Sequence, residues 1–520
     1  MPKSQLTEQL KKTISYLTSR PWHWYTALVL TLIASFFRLY KIPQTLMFQG
    51  DQGRDALIVA NIFRERDLVF IGPVTSVGNM YLGPFYYYLM LPFLWLSYPS
   101  PLGPVYAVAI MSSLSIFALY LIGKKMFNWQ TGLLAAGFFS LSASAISLAR
   151  FSWNPNLAPV VSIFMIYFSW RALKKSKYWL LVSLCFSILI QLHYLTLLTA
   201  VSAGLLWLYS LIKKLKLKNK KNISELVTHT IISLLIFILS LTPLILFDLK
   251  HDGLNRKAFI NLFQNEETFA KNEETDLGQT ILATLKKTEG RSMHILYEIN
   301  FGKNRTFNKW LNVSTLVGLL LIYVNLIQKK KDTDAMLTIL IYLLVGILGA
   351  AAYRHTVFDH YIAYLFPITA LVYGLVLTKI IKFKPGWLVL LGFSGYYLYY
   401  NLTHLPLLDS AYLTIKQRSY EIAAYMTPAD QYDLVLLSPT KDLYGQNYRY
   451  FLSTTNNPPL KKTDLSQLNT LVIIDEEKNV ADVTSLPIYE IVIFPTKKID
   501  LEVHHQTPPD FYILRNYYGP

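Results

Sequence analysis

The residues best suited to chemistry lie in a short polar segment, FQGDQGRD at positions 48–55, which is flanked by hydrophobic sequence. Asp51 and Asp55 are four residues apart, so a helix would place both carboxylates on one side. Gly50 and Gly53 bracket Asp51, and an amphipathic helical pattern follows it. A partly desolvated carboxylate can have a pKa suited to a general base, and carboxylate oxygens also bind divalent cations such as Mg²⁺ or Mn²⁺. These two side chains are therefore candidates for a general base and for positioning an acceptor or a metal ion.

The alternative is a structural role for Asp51. Aspartate is a common helix N-cap because its carboxylate accepts a hydrogen bond from an N–H of the first turn. In that interpretation Asp51 caps a helix that begins at Gln52 and lies on a membrane surface, and Arg54 faces water. Further polar clusters along the chain favour the functional interpretation.

Polar residues also interrupt apolar sequence at two later positions. Arg150 and Asn154 lie in RFSWNPNLAP, where two prolines stop a helix and a guanidinium can hold a phosphate. His193 and Tyr194 interrupt a long apolar stretch and are candidates for contacts with a sugar or an acceptor. Taken singly, an arginine at a membrane surface more often extends its charge to water, and an isolated histidine is more often structural.

The densest of these clusters is YRHTVFDHY at positions 353–361. It supplies Arg354 and His355 as candidates for phosphate binding, and Asp359 and His360 as candidates for contacts with a sugar or an acceptor. Two histidines and an aspartate can also chelate a metal ion. The spacing matches no strict metal motif, however, so phosphate and sugar contacts are favoured.

An aromatic segment, GPFYYY at positions 83–88, precedes an apolar run. The rings of Tyr86 and Tyr87 can stack on the faces of sugars. Tyrosines are also enriched where a protein meets the headgroups of a membrane, so an aromatic belt is the competing explanation.

Composition indicates the class of protein in which these groups lie. Of the 520 residues, 53% are hydrophobic and 16% are charged, as expected of a polytopic membrane protein. The formal net charge is +17, but lysine and arginine occur in short clusters between apolar runs. Orientation in a bilayer therefore explains the charge better than nucleic-acid binding does. The single cysteine, Cys185, excludes a disulfide framework and a cysteine-rich metal site.

The apolar runs predict about eleven membrane-spanning helices, each close to the length that crosses ~30 Å of hydrocarbon. A further run at 82–98 is assigned to the membrane surface, because counting it as a span would move the basic loops to the outer side, against the positive-inside rule. The N-terminus is then cytoplasmic, and the C-terminus and the polar clusters lie outside. The spans are expected near 22–40, 103–122, 130–148, 157–172, 178–193, 194–212, 228–247, 312–327, 335–352, 360–381 and 386–401.

The last part of the chain has a different character, with short apolar segments between polar turns. We expect a transmembrane domain at 1–404 and a soluble, extracytoplasmic α/β accessory domain at 405–520. The amphipathic helix of the accessory domain is expected at 412–426, and its strands at 432–437, 470–474 and 488–494.

With these features the chain resembles the GT-C glycosyltransferases, in the branch of protein O-mannosyltransferases and aminoarabinose transferases, and is nearest to bacterial members described as family-39-like. The likeness covers about residues 20–400. In the family the first-loop motif commonly reads Asp-Glu, whereas Gln52 follows Asp51 here. The likeness rests on the basic loop after the second span and on the segments Gly50-Asp51-Gln52-Gly53-Arg54-Asp55-Ala56 and Gly83-Pro84-Phe85-Tyr86-Tyr87.

The resemblance implies a multi-pass enzyme of the plasma (inner) membrane that acts on the outer face. It would transfer a hexosyl or pentosyl group from a polyprenyl-phosphate-linked donor to a hydroxyl of a protein, lipid or envelope glycan, with inversion at the anomeric carbon. It implies that Asp51 is the catalytic base. Arg150, Arg354 or His355 would then stabilise the charge that develops on the phosphate.

Two other functions fit the apolar runs. A transporter or lipid flippase would also need many spans, but it predicts charged residues in mid-membrane and helices broken near the midplane. The polar clusters are expected at outer helix ends instead. A sensory role for the outer domain, with an inert membrane part, is a third hypothesis. The enzyme is the favoured hypothesis, and a transporter or flippase is its main alternative.

Overall fold

The chain divides into two compact units, which we describe separately. The first unit contains Met1–Tyr40, Val69–Tyr86 and Tyr106–Pro406, and the second contains Lys41–Leu68, Tyr87–Val105 and Leu407–Pro520. The computed structural model describes residues 5, 19–75, 80–218, 220–264, 277–353, 356–407, 411–438, 444–461, 467–476, 500–503 and 510–515.

Most of the described residues are helical, because a helix satisfies its backbone hydrogen bonds internally, as hydrocarbon requires. In chain order the α-helices are α1 (Trp22–Leu39), α2 (Ile42–Thr45), α3 (Gly50–Arg64), α4 (Phe85–Ser97), α5 (Leu102–Met126), α6 (Trp129–Leu141), α7 (Ala143–Ala149), α8 (Ala158–Lys174), α9 (Trp179–Leu192), α10 (Leu197–Lys216), α11 (Lys220–Ser240), α12 (Thr242–Lys250), α13 (Leu254–Gln264), α14 (Leu277–Met293), α15 (Ile299–Phe301), α16 (Arg305–Gln328), α17 (Asp334–Ala352), α18 (Phe366–Ile380), α19 (Gly386–Thr403), α20 (Ala411–Tyr425) and α21 (Gln446–Leu452).

Within the described residues, seven helices are long and apolar enough to cross a membrane, and the bent pair α6–α7 would make an eighth. Three further predicted spans, at 22–40, 178–193 and 386–401, are helical but are not among the seven. One of them, Ser176–Leu192, is apolar but shorter than the others. The structure therefore supports seven or eight spans, and the expected number of eleven is not confirmed.

A bend of 65° separates α6 from α7. Ser142 at the bend has an extended backbone, and its hydroxyl accepts a hydrogen bond from Ala145 N, so it acts as the N-cap of α7. The amide oxygen of Asn401 accepts a further hydrogen bond, from Ala143 N. Side chains thus satisfy the backbone groups that the break exposes, and α7 leads directly to the segment that contains Arg150.

Arg38, in the last turn of α1, is fully buried in the first unit. Its guanidinium donates to the carbonyl oxygens of Ser140 (2.9 Å) and Phe139 (3.2 Å) and to the hydroxyl of Ser112 (3.1 Å). The two carbonyls belong to the last turn of α6, where a helix has acceptors without intrahelical partners and a partial negative charge. The guanidinium therefore joins α1 to the end of α6 and, through Ser112, to α5.

The strands of the second unit form one four-stranded sheet in the order β1-β2-β4-β3. Strands β1 and β2 are parallel, with Tyr432 opposite Thr470, and β4 is antiparallel to both of its neighbours. All residues of β2 are buried, as expected of a central strand covered on both faces. The strands are β1 (Tyr432–Leu437), β2 (Thr470–Asp475), β3 (Asp500–Val503) and β4 (Asp510–Arg515).

Three elements expected at the end of the chain match α20, β1 and β2 to within one residue. The strand expected at 488–494 lies outside the described residues, and α21, β3 and β4 were not predicted. The described residues from 407 onward belong to one compact unit with Lys41–Leu68 and Tyr87–Val105. A soluble accessory domain at 405–520 stays a prediction.

We expect Arg38→Met to lower the melting temperature by about 3 °C, because removing the guanidinium leaves buried carbonyl groups without their donor, a loss of about 3 kcal/mol against the large unfolding entropy of a 520-residue chain. Thermal unfolding of the purified protein in detergent measures the change. Arg305→Met, at an exposed position at the start of α16, is the matched control. Equal melting temperatures for the two variants would contradict a structural role for Arg38.

Candidate active site

The acidic motif lies on α3 of the second unit. Gln49 is the N-cap, with an extended backbone (φ −71°, ψ 168°), and the helix begins at Gly50. Asp51 is therefore in the first helical turn and is not the cap, and the start expected at Gln52 is two residues too late. At this position the Asp51 carboxylate lies near the positive end of the helix dipole, which favours a negative charge.

Arg54 connects the two aspartates. Its Nη1 donates to Asp51 Oδ1 at 2.7 Å, while its Nε and Nη2 donate to Asp55 Oδ1 at 3.0 and 2.8 Å. Only a quarter of the Arg54 side chain is exposed, so the expectation that it faces water is wrong. The physical reason is that a buried carboxylate needs a cationic partner, a requirement that the amphipathic pattern does not reveal.

Asp55 is the buried member of the pair, with 4% of its surface exposed. The Tyr87 hydroxyl donates to Asp55 Oδ1 at 3.1 Å. Burial raises the pKa of the Asp55 carboxyl to about 6, because the charged form loses its hydration, although the positive charge of Arg54 opposes the rise. Asp55 Oδ2 is buried and accepts no hydrogen bond from the described residues. Tyr87, predicted to contact a sugar, is thus hydrogen-bonded to the buried aspartate.

Asp51 differs from Asp55 because 48% of its side chain is exposed. A substrate can reach the Asp51 carboxylate, whereas Asp55 is enclosed by protein. The arrangement suits a division of roles in which Asp55 holds Arg54, and Arg54 fixes the direction of the Asp51 carboxylate.

The donor set does not fit a resident divalent cation. Among the described residues, no group of three or more His, Cys, Asp or Glu side chains could hold a metal ion. Arg54 already binds both carboxylates and supplies the positive charge that a cation would bring. A requirement for Mg²⁺ or Mn²⁺ stays a prediction, and no step below depends on one.

Arg150 of the first unit follows α7 and is buried. Its Nη1 donates to Phe37 O at 2.5 Å and its Nη2 donates to Tyr40 O at 2.8 Å. The guanidinium therefore binds the carbonyl end of α1, where an arginine interacts favourably with the helix dipole. Phosphate binding by Arg150 stays a prediction, and in the observed conformation two of its donors are directed at the backbone.

Several other candidates of the first unit lie close together although they are distant in sequence. Asn154 donates to the last carbonyl of α9 at 2.6 Å, and His193 immediately follows that helix. The His193 ring lies 4.8 Å from the Tyr361 ring, and the His360 ring lies 4.6 Å from the Trp153 ring. The segments that follow α7, α9 and α17 therefore lie close together, and each of them carries one of the polar clusters found in the sequence.

A polar cavity of about 340 Å³ contains Asp359. His294 Nε2 lies 3.4 Å from Asp359 Oδ1, and His294 Nδ1 lies 3.3 Å from Glu298 Oε2. The Ser144 hydroxyl donates to the other oxygen of Asp359 at 3.3 Å. His294 and Glu298 were not predicted, because they lie in a single π-helical turn and the sequence shows no spaced motif there. Lys303, Tyr400 and His404 also line the cavity.

Tyr86 and Tyr194 are held by hydrogen bonds to the protein. The Tyr86 hydroxyl lies 2.5 Å from Ser152 Oγ, and the Tyr194 hydroxyl donates to Tyr81 O at 2.6 Å. Asn255 strengthens the second contact, because its Oδ1 accepts a hydrogen bond from Tyr81 N at 2.6 Å. Sugar contacts by these two tyrosines stay predictions.

Arg354 and His355, the remaining candidates for phosphate binding, lie outside the described residues. The other candidates fall into two groups. Asp51, Asp55 and Tyr87 belong to the second unit, and Arg150, Asn154, His193, Tyr194, Tyr86, Asp359 and His360 belong to the first.

Known proteins share this fold and part of this sequence. Residues 83–244 match the family described as dolichyl-phosphate-mannose-protein mannosyltransferase. Two crystal structures of ArnT from Cupriavidus metallidurans, bound to undecaprenyl phosphate and in the apo state, are similar with TM-scores of 0.55 and 0.56. In both comparisons the identity is 12%, over 95% of this chain and 98% of ArnT. The chain therefore resembles ArnT in fold over most of its length, and it resembles the mannosyltransferase family in sequence over residues 83–244.

The chain is also similar to the archaeal oligosaccharyltransferase AglB from Archaeoglobus fulgidus, in complex with an inhibitory peptide and a dolichol-phosphate. The TM-score is 0.50 at 11% identity, over 87% of this chain and 69% of AglB. No curated protein sequence matches the chain. The resemblance predicted from the acidic motif is thus confirmed for the superfamily, and the structural likenesses show the fold.

We expect Asp55→Asn to change how the stability of the protein depends on pH. Folding raises the pKa of the Asp55 carboxyl, so the protonated carboxyl stabilises the folded protein. This stabilisation is complete below the pKa of the unfolded chain and is lost as the pH rises through about 6. Between pH 3.5 and 7 the variant should therefore gain about 3 kcal/mol of unfolding free energy relative to the wild type. Chemical unfolding at several pH values measures it.

Asp67→Asn, at an exposed position of the same unit, is the control for the loss of one carboxyl. If the unfolding free energies of Asp55→Asn and the wild type change equally with pH over this range, the burial of an ionisable Asp55 is contradicted.

Proposed function

We propose that the protein transfers a sugar from a polyprenyl-phosphate-linked donor to an acceptor hydroxyl of a protein, lipid or envelope glycan, with inversion at the anomeric carbon. One observation carries the proposal: an accessible carboxylate, Asp51, is oriented by an arginine that a buried carboxylate holds in place. The solved structures support the donor class, because ArnT was crystallised with undecaprenyl phosphate and AglB was solved in complex with a dolichol-phosphate.

In the proposed reaction the acceptor oxygen attacks the anomeric carbon on the face opposite the phosphate. The bond between that carbon and the phosphate oxygen breaks, and its electron pair leaves with the polyprenyl phosphate. The proton of the acceptor hydroxyl passes to Asp51, whose exposed side chain can meet a substrate. Asp55 and Arg54 act indirectly, by fixing where the Asp51 carboxylate points.

The leaving phosphate develops negative charge, and cationic side chains at the site would stabilise it. Arg354 and His355 remain the candidates that the sequence supplies. To bind the phosphate, Arg150 would have to give up its hydrogen bonds to the carbonyl oxygens of Phe37 and Tyr40. Asp359 stays a candidate for contacts with a sugar or an acceptor, because the cavity that it lines within the first unit is suited to several hydroxyl groups. The cavity offers carboxylates, imidazoles, a serine hydroxyl and the Tyr400 ring.

We place the enzyme in the plasma (inner) membrane, with a cytoplasmic N-terminus and the site on the outer face. Basic residues support this orientation, since they lie in the last turns of α5, α8 and α10. These three ends face the same side if the bent pair α6–α7 and the helix α9 each cross the membrane once. The positive-inside rule assigns that side to the cytoplasm. Eleven spans, with α1 and α19 included, remain part of the proposal.

A transporter or flippase is the second candidate, and two observations bear on it. The buried Arg38 and the bend between α6 and α7 are features that such proteins use at substrate sites. In this chain, however, the Arg38 donors bind two carbonyl groups and a serine, and side chains cap the bend. Both features are therefore explained by packing, and the enzyme is favoured.

We expect Asp51→Asn to lower the release of polyprenyl phosphate at least 100-fold, because the hydroxyl loses its proton acceptor. The measurement uses the full chain in detergent with a panel of polyprenyl-phosphate sugars. Asp332→Asn, which removes an exposed carboxylate paired with Lys174, is the matched control and should keep wild-type activity. A folded Asp51→Asn protein with full activity would reject the base, whereas binding of lipid phosphate without release from any donor would favour the transporter.

We expect Asp359→Asn to act on binding rather than on the chemical step, because Asp359 lines a cavity that offers contacts to hydroxyl groups. The KM for the sugar substrate or the acceptor should rise about tenfold, the loss of one hydrogen bond to a charged group, with little change in kcat. Steady-state kinetics with one substrate varied at a time measures both. A drop in kcat at unchanged KM would instead assign Asp359 to the chemical step.

A further inference from the structure

The helix that carries the acidic motif is packed against α21, from the far end of the chain. A Cβ atom placed on Gly53 would lie 2.3 Å from Gln446 O and 2.5 Å from both Asn447 Cα and Asn447 N. These distances are far shorter than any van der Waals contact, and the opposing atoms are backbone, which cannot rotate away. Only glycine allows α3 and the start of α21 to approach this closely.

This contact lies directly behind the carboxylates. Successive residues of an α-helix are rotated by about 100°, so Asp51 and Asp55 each lie about 160° from Gly53 around the helix axis. One side of this turn therefore carries the two aspartates, while the opposite side rests on the backbone of Gln446 and Asn447. A displacement of α21 would move the carboxylates by a similar distance.

Aromatic contacts anchor the chain just before α3. The Phe48 ring lies 5.3 Å from the Phe451 ring, 5.7 Å from the Tyr412 ring and 6.1 Å from the Tyr450 ring. Tyr412 N also donates to Leu46 O at 3.1 Å. Residues of α20 and α21 thus enclose the segment that enters the acidic helix, and burial of this ring cluster stabilises the contact.

The other end of α3 is held by the same part of the chain. Arg64 Nη1 donates to Ser453 O at 3.2 Å, and Lys461 Nζ lies 2.7 Å from Glu65 Oε2. These exposed contacts contribute little energy individually, but they fix the direction of the helix at its far end. Residues before, within and after α3 are therefore each bound to residues between 412 and 461.

We propose that residues 411–438 and 444–461 position the acidic helix for catalysis, with Gly53 as a positioning residue that acts through Asp51 and Asp55. This inference rests on the proposed glycosyl transfer. It gives the end of the chain a part in the reaction itself, where the sequence predicted an accessory domain. The segment contacts no reacting atom in this role; it determines where the carboxylates are held.

Gly53→Ala in the full chain tests the inference. The added methyl group has to push α3 and α21 apart by about 1 Å, and an error of that size in the position of a catalytic group costs about 100-fold in rate. We therefore expect release of polyprenyl phosphate to fall about 100-fold. Alanine is the better helix former, so helix propensity alone would stabilise the variant by up to ~1 kcal/mol.

The pH profile separates positioning from partial unfolding. Asp55 has to be ionised to hold Arg54, so wild-type activity should fall below about pH 6. The methyl group pushes α3 towards Tyr87, on the opposite side of the helix, and so changes the packing around Asp55 and the pKa of its carboxyl. The acid limb of the Gly53→Ala activity profile should then move, whereas partial unfolding would lower the activity at every pH without moving the limb.

Gly290→Ala is the matched control, because Gly290 also lies within a helix, α14, and a Cβ there meets no atom within 4 Å. It should keep wild-type activity and pH dependence. If Gly53→Ala behaves like Gly290→Ala while the wild type is active and requires Asp51, the positioning inference is wrong and the transferase proposal stands. If Gly53→Ala fails to fold, Phe48→Leu takes its place, with an expected loss of about tenfold and the same shift of the acid limb.

Amide hydrogen exchange provides a readout that needs no enzymatic activity. Exchange of residues 50–64 should accelerate at least tenfold in Gly53→Ala, with that of α16 unchanged. If the wild type releases polyprenyl phosphate from no donor, the proposed function fails, and exchange alone decides whether α21 holds the helix. Unchanged exchange at residues 50–64 would overturn the inference in either case.

Discussion

The constraint on which the acidic site depends is the cost of burying the Asp55 carboxylate. A buried charge without a partner is strongly unfavourable. Arg54 is the partner here, because two of its N–H groups donate to Asp55 Oδ1. Because the guanidinium is planar and rigid, fixing it on Asp55 also fixes its third donor, which is directed at Asp51. The accessible carboxylate is thus oriented by a residue that never needs to touch the substrate.

This arrangement requires that α3 cannot move relative to its neighbours. Tyr87 contacts Asp55 on one side of the helix, and the backbone of Gln446 and Asn447 contacts Gly53 on the other. Burial of Asp55 and close approach at Gly53 are therefore two parts of one packing arrangement. A larger residue in place of Gly53 would push the helix towards Tyr87 and disturb the packing that holds Asp55 and Arg54 in place.

The sequence was sufficient for the features that depend on local composition. The apolar runs predicted the long helices, and the acidic motif predicted the superfamily and the helix that carries it. It was not sufficient for features that depend on tertiary contacts. Arg54 looks like a surface residue in the helical pattern, and only the burial of its neighbour explains its position. His294 contacts both Glu298 and Asp359, and it lies with Glu298 in a π-helical turn, which no simple period predicts.

The same limit applies to Arg150, and its position clarifies how the first unit is built. Arg150 binds the carbonyl end of α1, just as Arg38 binds the carbonyl end of α6. In both cases the last carbonyl groups of a helix lack intrahelical donors, and a guanidinium with several donors satisfies them. A buried arginine in a membrane protein is usually taken as a sign of a substrate path. Here the carbonyl groups already account for both residues. Charge buried in the first unit is therefore weak support for transport, and the accessible Asp51 carries the functional argument.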